Sequence, residues 1–479
     1  MFQISNFKFQ ISALFPPPFI SQMQALLGAD SAAFFEALQG NPPVSIRLSS
    51  SKKALPPYDF TLQVPWCDSG RCLAQRPVFT LDPLLHGGAY YVQEAASMAL
   101  SQVARQLLQK EELRALDLCA SPGGKTTLLA DFLPQDSLLV ANEAIRSRVG
   151  ALTENVTKWG NPHVLVTNND PKDFAQLPGF FDAIFVDAPC SGEGMFRKDK
   201  GAVGAWSEAG VQLCRERQRR IVADVWSALK AGGYLVYTTC TFNVKENEEN
   251  VLWMLNELGA SSAKLEMKRE WGITPTDELK LRLSKELHGY RFFPHKTLGE
   301  GFFVAVLQKT SGNESSSLLR RQDKAPKVAS TIPHELRRWL LNPNDFVFVR
   351  AEHQVKAVPA HIHRWASMAA RRLNVVQEGI AVAELKGSDC VPCAALALST
   401  ALNPGAFPTV DLDLRRAQQL LKKESIDGMP QRKGFELVRY SGLPLGFIKN
   451  LGARCNNLYP QEWRIRMNLR PLNGFEAAP

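Results

Sequence analysis

Between residues 106 and 312, short apolar runs alternate with longer segments whose apolar positions recur every three or four residues. Short apolar runs are typical of buried strands, whereas the longer repeat, seen over 212–229, is typical of helices. This alternation produces a parallel sheet covered on both faces by helices. The sequence therefore predicts a doubly wound α/β domain over 106–312. Its strands are expected at 115–118, 137–141, 164–167, 183–187, 234–238 and 302–307.

Outside this domain the pattern changes along the chain. Residues 1–105 are richer in proline and mixed in pattern, which indicates a smaller N-terminal lobe packed on the α/β domain. Residues 313–330 are polar and lack periodicity, as is typical of a linker. Beyond them we predict an intermediate domain over 331–400 and a last domain with short strands over 401–479.

Composition fits a multidomain globular protein. The 479 residues exceed one ordinary domain, and 45% hydrophobic with 22% charged residues excludes a disordered or fibrous chain. The 56 Lys and Arg against 47 Asp and Glu give a net charge of +9, which favours a polyanionic partner. Residues 431–479 hold eight of the cations against three anions. The basic bias is therefore concentrated near the C-terminus.

Location and assembly follow from what the sequence lacks. No run reaches the roughly 18 apolar residues of a membrane span, and Lys8 and Pro16-Pro17-Pro18 interrupt the apolar start of the chain. Nine scattered cysteines, an odd number, fit a reducing compartment better than a disulfide framework. We expect a cytoplasmic monomer without membrane association. No metal is expected, because the pair Cys390 and Cys393 lacks a second pair at suitable spacing.

A predicted strand ends at Leu118 and runs into a loop of small residues, 119–125, before a helix begins. Such a loop lets backbone N–H groups approach a ligand, and a helix start favours a carboxylate or phosphate. An ATP-binding loop requires glycine where Cys119 stands, and the dinucleotide fingerprint G-x-G-x-x-G is absent. ATP and nicotinamide dinucleotides are therefore disfavoured. S-adenosylmethionine is the ligand that the loop favours.

Carboxylates follow three successive predicted strands. Glu143 comes after the second strand, Asp170 after the third, and Asp187 ends the fourth. Because the carboxyl ends of parallel strands meet at one edge, all three are expected to face the same crevice. A helix cap or a solvated loop is the alternative for each one alone. Together they favour ligand binding, with Glu143 on ribose hydroxyls and Asp170 on the adenine amino group.

Cys190 and Cys240 each lie just beyond a predicted strand at this same edge. A lone cysteine is usually a small buried hydrophobe, but two at strand ends favour chemistry. Carbon 5 of cytosine is too weak a nucleophile to take a methyl group from a sulfonium directly. A thiolate that adds to carbon 6 makes carbon 5 reactive. Asp187 could then hold N3 or the exocyclic amine of the base.

Together these motifs resemble the RNA cytosine-5 methyltransferases of the NOL1/NOP2/Sun family, most closely its bacterial ribosomal RNA branch. The resemblance covers nearly the whole chain. It is carried by Pro65-Trp66-Cys67, 91–98, 122–127, 187–194, Arg197-Lys198-Asp199 and 300–303. It also implies that the N-terminal lobe, 1–105, binds RNA. One departure in this lobe is Arg47-Leu48-Ser49, where the family often has Arg-x-Asn.

The resemblance implies a Rossmann-like S-adenosylmethionine methyltransferase core with a PUA-like region at the C-terminus. It implies that Cys240 is the nucleophile and that Cys190 assists product release. It further implies cofactor binding by Cys119, Ala120, Ser121, Pro122, Gly123, Gly124, Lys125, Glu143, Asp170 and Asp187. DNA cytosine methyltransferases attack instead with the Pro-Cys cysteine and follow it with Glu-Asn-Val. Here Glu249-Asn250-Val251 lies beyond Cys240, which we interpret as coincidence.

Cations alternate with aromatic residues between 442 and 464, which is similar to the PUA-like RNA-binding module of this branch. Lys449 and Arg454 are predicted to grip phosphates, and Lys198 to guide RNA beside the active-site loop. An ordinary solvated surface is the alternative for each. The expected partner is ribosomal RNA, of the 16S type, or the small ribosomal subunit. Transfer RNA, a non-catalytic assembly factor and, more distantly, a nicotinamide oxidoreductase remain alternatives.

Overall fold

The computed structural model describes residues 11, 13–279, 281, 283, 286–311, 332–387, 389–426 and 432–468. The predicted linker over 313–330 lies outside the described residues, as does the end of the predicted last domain from 469 onward. Within the described part no helix is long and apolar enough to cross a membrane.

The N-terminal part consists of helices around a four-stranded sheet. Its strands are arranged in the order β2-β3-β1-β4. Phe19, Phe34 and Phe35, from the first two helices, form one apolar cluster with Phe196 and Phe242. These helices therefore pack against the loops that follow the fourth and fifth core strands. The elements are α1 (Pro17–Leu27), α2 (Ser31–Gln39), β1 (Val44–Leu48), β2 (Phe60–Gln63), β3 (Gly70–Leu73), α3 (Pro83–His86), β4 (Tyr90–Val92) and α4 (Leu100–Leu107).

The predicted α/β core is confirmed. Its parallel strands have the order β7-β6-β5-β8-β9, so the chain starts at the centre of the sheet and reverses direction after β7. The elements of this half are β5 (Arg114–Asp117), α5 (Gly124–Phe132), β6 (Leu138–Asn142), α6 (Arg146–Trp159), β7 (Val164–Thr167), β8 (Phe181–Asp187), α7 (Lys200–Ala205), α8 (Glu208–Trp226), β9 (Leu229–Thr239) and α9 (Glu248–Glu257).

The sheet is mixed rather than wholly parallel, which corrects the expectation from the pattern. The predicted strand at 302–307 is present but runs antiparallel to β9. It is entered from an antiparallel neighbour over Gly289–Phe292 instead of through a crossover helix, and this reverses its direction. The elements of this edge are β10 (Ala260–Ala263), β11 (Thr274–Pro275), β12 (Gly289–Phe292) and β13 (Phe302–Lys309).

The C-terminal part forms two further four-stranded sheets, in the orders β14-β15-β17-β18 and β19-β20-β21-β22. Aromatic side chains pack together in one cluster with residues of both sheets. The ring centroid of Phe407 lies 4.9 Å from that of Trp339 and 4.7 Å from that of Phe447. The elements are α10 (His334–Arg338), β14 (Phe346–Ala351), β15 (Gln354–Pro359), α11 (Ala360–Ala370), β16 (Val375–Gln377), β17 (Ile380–Lys386), β18 (Asp389–Pro392), α12 (Ala394–Leu398), β19 (Thr409–Asp411), α13 (Leu414–Leu421), β20 (Lys433–Tyr440), β21 (Leu443–Leu451) and β22 (Cys455–Asn457).

Part of this C-terminal region belongs to the core sheet. Strand β16 pairs antiparallel with β7 and extends the sheet by one strand. Helix α11 packs on the core sheet as well, because its Ile362, Ala366 and Ala369 are buried in one cluster with residues of the core strands. The predicted boundary between 331–400 and 401–479 stays a prediction.

Candidate active site

The two cysteines singled out in the sequence meet at the carboxyl edge of the core sheet. Cys240 follows the last residue of β9, and Cys190 lies three residues beyond the end of β8. Because β8 and β9 are parallel neighbours, their ends are adjacent. The two sulfur atoms are 3.2 Å apart, at hydrogen-bonding distance between free thiols.

The two thiols have opposite tendencies to ionise. The hydrogen bond from Cys190 lowers the pKa of Cys240 below its usual value despite burial, and the nearby charge of Lys125 acts in the same direction. The same hydrogen bond, together with burial, raises the pKa of Cys190 well above its usual value. Cys240 is therefore the more readily ionised of the two thiols, and the hydrogen bond between them is best described as donated by Cys190. The thiolate is the nucleophilic form of cysteine.

An ion pair between Lys125 and Asp187 lies beside Cys240. Lys125 Nζ donates to Asp187 Oδ2 at 2.7 Å, and Thr238 Oγ1 donates to Asp187 Oδ1 at 3.0 Å. Burial alone lowers the pKa of Lys125, but the charge of Asp187 and the hydrogen bond outweigh it, so this pKa is raised overall. The pair presents a fixed donor and a fixed acceptor next to the sulfur, as recognition of a polar ring edge requires.

The loop between β5 and α5 is held closely against its neighbours. The N–H of Ala120 donates to the carbonyl of Asn142, and Asn155 Nδ2 donates to the carbonyl of Pro122. Gly123 has φ of +113°, which favours glycine, and a Cβ on Gly124 would lie 3.1 Å from Tyr91 Cε1. The backbone therefore favours glycine at 123, and a side chain at 124 would press against Tyr91.

Two carboxylates at this edge have oxygens that suit a ligand. Asp117 Oδ1 and Glu143 Oε2 are buried without a hydrogen-bond partner, although Arg148 Nη1 lies 3.6 Å from the latter. Buried polar atoms normally find partners, so unsatisfied acceptors here match the hydroxyl and ammonium donors of S-adenosylmethionine. Burial also raises the pKa of Asp117 to about 7. The residues present fit this cofactor.

Sequence reasoning did not assign a role to Asp117 or to Ile145. Ile145 is 53% exposed, and its N–H donates to Oε1 of Glu143, two residues earlier, at 2.8 Å. An exposed apolar side chain beside unsatisfied carboxylates suits the flat face of a purine. The signal was present in the sequence as an apolar residue two positions after the acidic one.

For Asp170 the sequence left two roles open, a helix cap and a ligand contact. Its side chain accepts from the Lys172 N–H at 3.2 Å and caps the short helix that begins at Pro171. The helix-cap alternative is therefore realised in the structure. The predicted contact of Asp170 with adenine stays a prediction.

The basic residues predicted to contact RNA are already paired with carboxylates in two of three cases. Lys198 Nζ lies 3.9 Å from Glu300, a buried carboxylate that Arg197 also approaches to 3.8 Å. Lys449 Nζ donates to Asp389 at 2.9 Å on the exposed surface of the C-terminal sheets, and Arg454 is exposed in the turn between β21 and β22. Of the three, Lys198 is the one beside the cysteine loops. RNA contacts by all three stay predictions.

Arg47, at the departure from the family motif, is fully buried and connects β1 to the core. Its guanidinium donates to Gln93 Oε1, Asp131 Oδ2 and Thr127 Oγ1 at 2.6 to 2.8 Å. It also lies over the ring of Trp159. The structural role of Arg47 is therefore retained although Ser49 stands where the family often has asparagine.

Three family models match successive parts of the chain. They are the 16S rRNA methyltransferase RsmB/F model over residues 104–308, the N-terminal domain of 16S rRNA methyltransferase RsmF over 15–95, and the methyltransferase RsmF PUA domain over 407–465. A relative from Enterobacter sp. (strain 638), named ribosomal RNA small subunit methyltransferase F, is 31% identical over 95% of this chain and 96% of its own length. The chain belongs to the RsmB/F family of 16S rRNA methyltransferases.

Other relatives agree with this family. A protein of the same name from Erwinia tasmaniensis is 30% identical over 94% of this chain and 96% of its own. Among solved structures, a methyltransferase homolog from Pyrococcus horikoshii has a TM-score of 0.54 at 26% identity, covering 64% of this chain and 98% of that one. NSun6 from the same organism, solved with SFG, shares the fold, with a TM-score of 0.53 at 19% identity, covering 62% of this chain and 99% of that chain.

Membership of the RsmB/F family makes the chain an S-adenosylmethionine-dependent RNA methyltransferase with a C-terminal PUA domain. The resemblance to the bacterial ribosomal RNA branch is confirmed. Among the described residues no group of three or more His, Cys, Asp or Glu side chains could hold a metal ion.

Proposed function

We propose that this protein methylates carbon 5 of a cytosine in 16S ribosomal RNA, with Cys240 as the covalent nucleophile. The observation that carries the proposal is the 3.2 Å distance between the Cys240 and Cys190 sulfurs, beside the ion pair of Lys125 with Asp187. Ribosomal RNA as substrate is supported by the names of the relatives. The expected partner is this RNA or the assembling small subunit, bound in part through Lys198, Lys449 and Arg454.

The cofactor supplies the methyl group and would be held by the 119–125 loop with Glu143, Asp170 and Asp187. The Cys240 thiolate adds to carbon 6 of the ring, and the electron pair of the 5,6 double bond moves to carbon 5. Asp187 and Lys125 hold the ring edge, where an acceptor and a donor match the exocyclic amine and the ring carbonyl. This makes carbon 5 the methyl acceptor.

Release requires loss of the proton on carbon 5. Its electron pair restores the 5,6 double bond and expels the Cys240 thiolate. Once Cys240 is bonded to carbon 6, it no longer holds the Cys190 proton or raises the pKa of Cys190 by its charge. Cys190 can then release its own proton to solvent and take the proton from carbon 5. The nucleophile and the releasing group are thus two different thiols, of which Cys240 is the more readily ionised.

The two thiols are distinguished by replacing each with alanine. Cys240→Ala is expected to abolish transfer of labelled methyl to RNA while cofactor binding, measured by calorimetry, stays within twofold. Cys190→Ala is expected to accumulate a protein–RNA complex that survives denaturing electrophoresis. Cys393→Ala, in the C-terminal part, is the matched control. Methylation by Cys240→Ala would refute the proposed nucleophile, and normal product release by Cys190→Ala would refute the role of the second thiol.

The substrate is tested in cells. Bisulfite sequencing of RNA from cells with and without the gene should show one or more 16S cytosines that lose protection. A loss confined to transfer RNA would favour that alternative substrate. Unchanged protection in all RNA, together with retained RNA binding, would favour a non-catalytic assembly factor.

A further inference from the structure

The residues that directly follow the two cysteines are bonded to each other. Ser191 Oγ lies 3.0 Å from Thr241 Oγ1, one residue along from the Cys190 and Cys240 sulfurs. The pair of hydroxyls thus lies directly beside the pair of thiols. The same two loops are also joined further along, where the Gly194 N–H donates to the carbonyl of Cys240 at 2.8 Å and the Phe242 N–H donates to Glu193 Oε2 at 3.0 Å.

Glu246 holds the serine side of this connection. Its Oε2 accepts from the Ser191 N–H at 3.0 Å, and its Oε1 accepts from Ser191 Oγ at 2.5 Å. Gln218 Nε2 donates to the same Oε2 at 2.7 Å and also to the carbonyl of Pro189 at 3.0 Å. The loop that carries Cys190 is therefore bonded on both sides of the cysteine to one buried network.

The network is anchored on three core elements. Tyr237 of β9 donates to the backbone carbonyl of Glu246 at 2.7 Å. Asn250 of α9 donates to Gln218 Oε1 at 2.7 Å, and Gln218 itself belongs to α8. The side chains of Glu246, Gln218 and Asn250 are buried. The side-chain hydrogen bonds of Glu246 go to Ser191 and Gln218 rather than to either sulfur.

We propose that Glu246 is a positioning residue that, through Ser191 and Thr241, holds the Cys190 sulfur at hydrogen-bonding distance from Cys240. The inference rests on the proposed assignment of Cys240 as nucleophile. Without this connection the Cys190 loop would still be held at Pro189 and at Gly194. Between these two points it has room to move, since Gly192 lies at φ of +74° with nothing within 4 Å of the place that a Cβ would occupy. Cys240 would then lose the donor that stabilises its thiolate.

The pH dependence of thiol alkylation tests the proposal without RNA or cofactor. Iodoacetamide reacts with the thiolate, and mass spectrometry of the Cys240 peptide separates this site from the other cysteines. Ser191→Ala and Thr241→Val are each expected to raise the pH midpoint of Cys240 alkylation by about one unit. At pH 7 the alkylation of Cys240 should then be about tenfold slower. Cys190→Ala should give the same rise, and combining it with Ser191→Ala should add nothing. Thr241→Ser should retain the wild-type midpoint.

Glu246→Gln separates positioning from simple electrostatics. Removing a negative charge near Cys240 would by itself lower the midpoint, because that charge opposes a thiolate. Positioning predicts a rise instead, because one carboxylate oxygen becomes an NH2 group. That group cannot accept from the Ser191 hydroxyl if it takes the Oε1 place, or from the Ser191 and Gln218 N–H groups if it takes the Oε2 place. A lower midpoint in Glu246→Gln overturns the proposal.

Matched controls are two buried hydroxyls elsewhere in the chain. Ser101 Oγ donates to the carbonyl of Trp66, and Thr276 Oγ1 to that of Leu287. Ser101→Ala and Thr276→Val should leave the Cys240 midpoint unchanged. The proposal is overturned if they shift it as much as the Ser191 variant does. It is equally overturned if Ser191→Ala and Thr241→Val keep the wild-type midpoint.

Methylation kinetics give an independent reading. Ser191→Ala and Thr241→Val are expected to lower kcat about tenfold, as the thiolate fraction falls, with KM for RNA within twofold. If Cys240→Ala retained activity, the proposed function would fail while the alkylation results still stood. The two failures are therefore distinguishable.

Discussion

Asp117 ends the central strand of the core with one oxygen bonded to Thr126 Oγ1 at 2.6 Å and the other unpartnered. Burial raises its pKa to about 7, whereas an unfolded aspartate titrates near 3.9. The folded protein therefore holds a proton that the unfolded chain has released between these values. The resulting stabilisation is full below about pH 4 and is lost as the pH rises through about 7.

Asp117→Asn should remove this dependence. Between pH 5 and pH 8 we expect the variant to gain roughly 2 kcal/mol in free energy of unfolding relative to wild type, since one pKa unit corresponds to about 1.4 kcal/mol. Urea unfolding of both proteins across this range measures it. Parallel curves for the two proteins would contradict the raised pKa.

At this scale the sequence revealed residue types but not their partners. Cys190, Cys240 and Asp187 were found because each lies at or just beyond the end of a short apolar run that is typical of a strand. Glu246 could not be assigned, because its partner Ser191 is 55 residues away in the chain. For the same reason the sequence could not show that Lys198 approaches Glu300 or that Lys449 bonds to Asp389.

At the scale of elements, Arg47 joins β1 to helix α5 through a fully buried ion pair. Its side chain is 0% exposed, and that of Asp131 is 6% exposed. Removing one partner of such a pair leaves an uncompensated buried charge, which costs about 3–5 kcal/mol. The exposed pair of Arg105 with Asp68, at 38% and 71%, offers a contrast.

Arg47→Met is therefore expected to lower the free energy of unfolding by about 3–5 kcal/mol, and Arg105→Met by less than about 1 kcal/mol. Chemical denaturation of both variants measures the difference. Equal losses of unfolding free energy in the two variants would contradict the expectation that the buried ion pair between β1 and α5 contributes more to stability than the exposed pair.

Elements were predictable where local pattern decides them. All six predicted core strands are present, since each is an apolar run too short for a helix. The direction of β13 and the addition of β16 were missed because pairing depends on residues far apart in sequence. Strand β16 contacts β7 across about 200 residues, as in the pairing of Val375 with Thr167. Asn250 belongs to the tripeptide that we interpret as coincidence, and the sequence did not indicate its structural role as a donor to Gln218 in the Glu246 network.

At the scale of the whole molecule, the end of α6 meets the C-terminal part at Gly160. This residue has φ of +83°, and a Cβ there would lie 2.1 Å from the carbonyl oxygen of Leu398. Its own carbonyl accepts from the Thr400 N–H at 3.0 Å. Gly150, exposed on the same helix, has nothing within 4 Å of its Cβ position.

The two glycines should respond oppositely to alanine. Gly160→Ala is expected to destabilise the protein by at least about 2 kcal/mol through strain and displacement of residues 398–400. Gly150→Ala should stabilise it by about 0.5–1 kcal/mol, because alanine is the better helix former. Melting temperatures of the two variants give the sign of each effect. A stabilised Gly160→Ala would contradict the close approach.

Strand β16 sets a limit on how this protein can be recombined with its relatives. It closes the β7 margin of the catalytic sheet, and helix α11 shields the adjacent side. A chimera joined near residue 312 would take both elements from the donor protein. Where the donor strand paired poorly with β7, backbone N–H and C=O groups would be left unpaired at the sheet edge, which promotes aggregation. Exchange of the RNA-reading module therefore requires a junction after residue 377, where the recipient keeps its own closing strand.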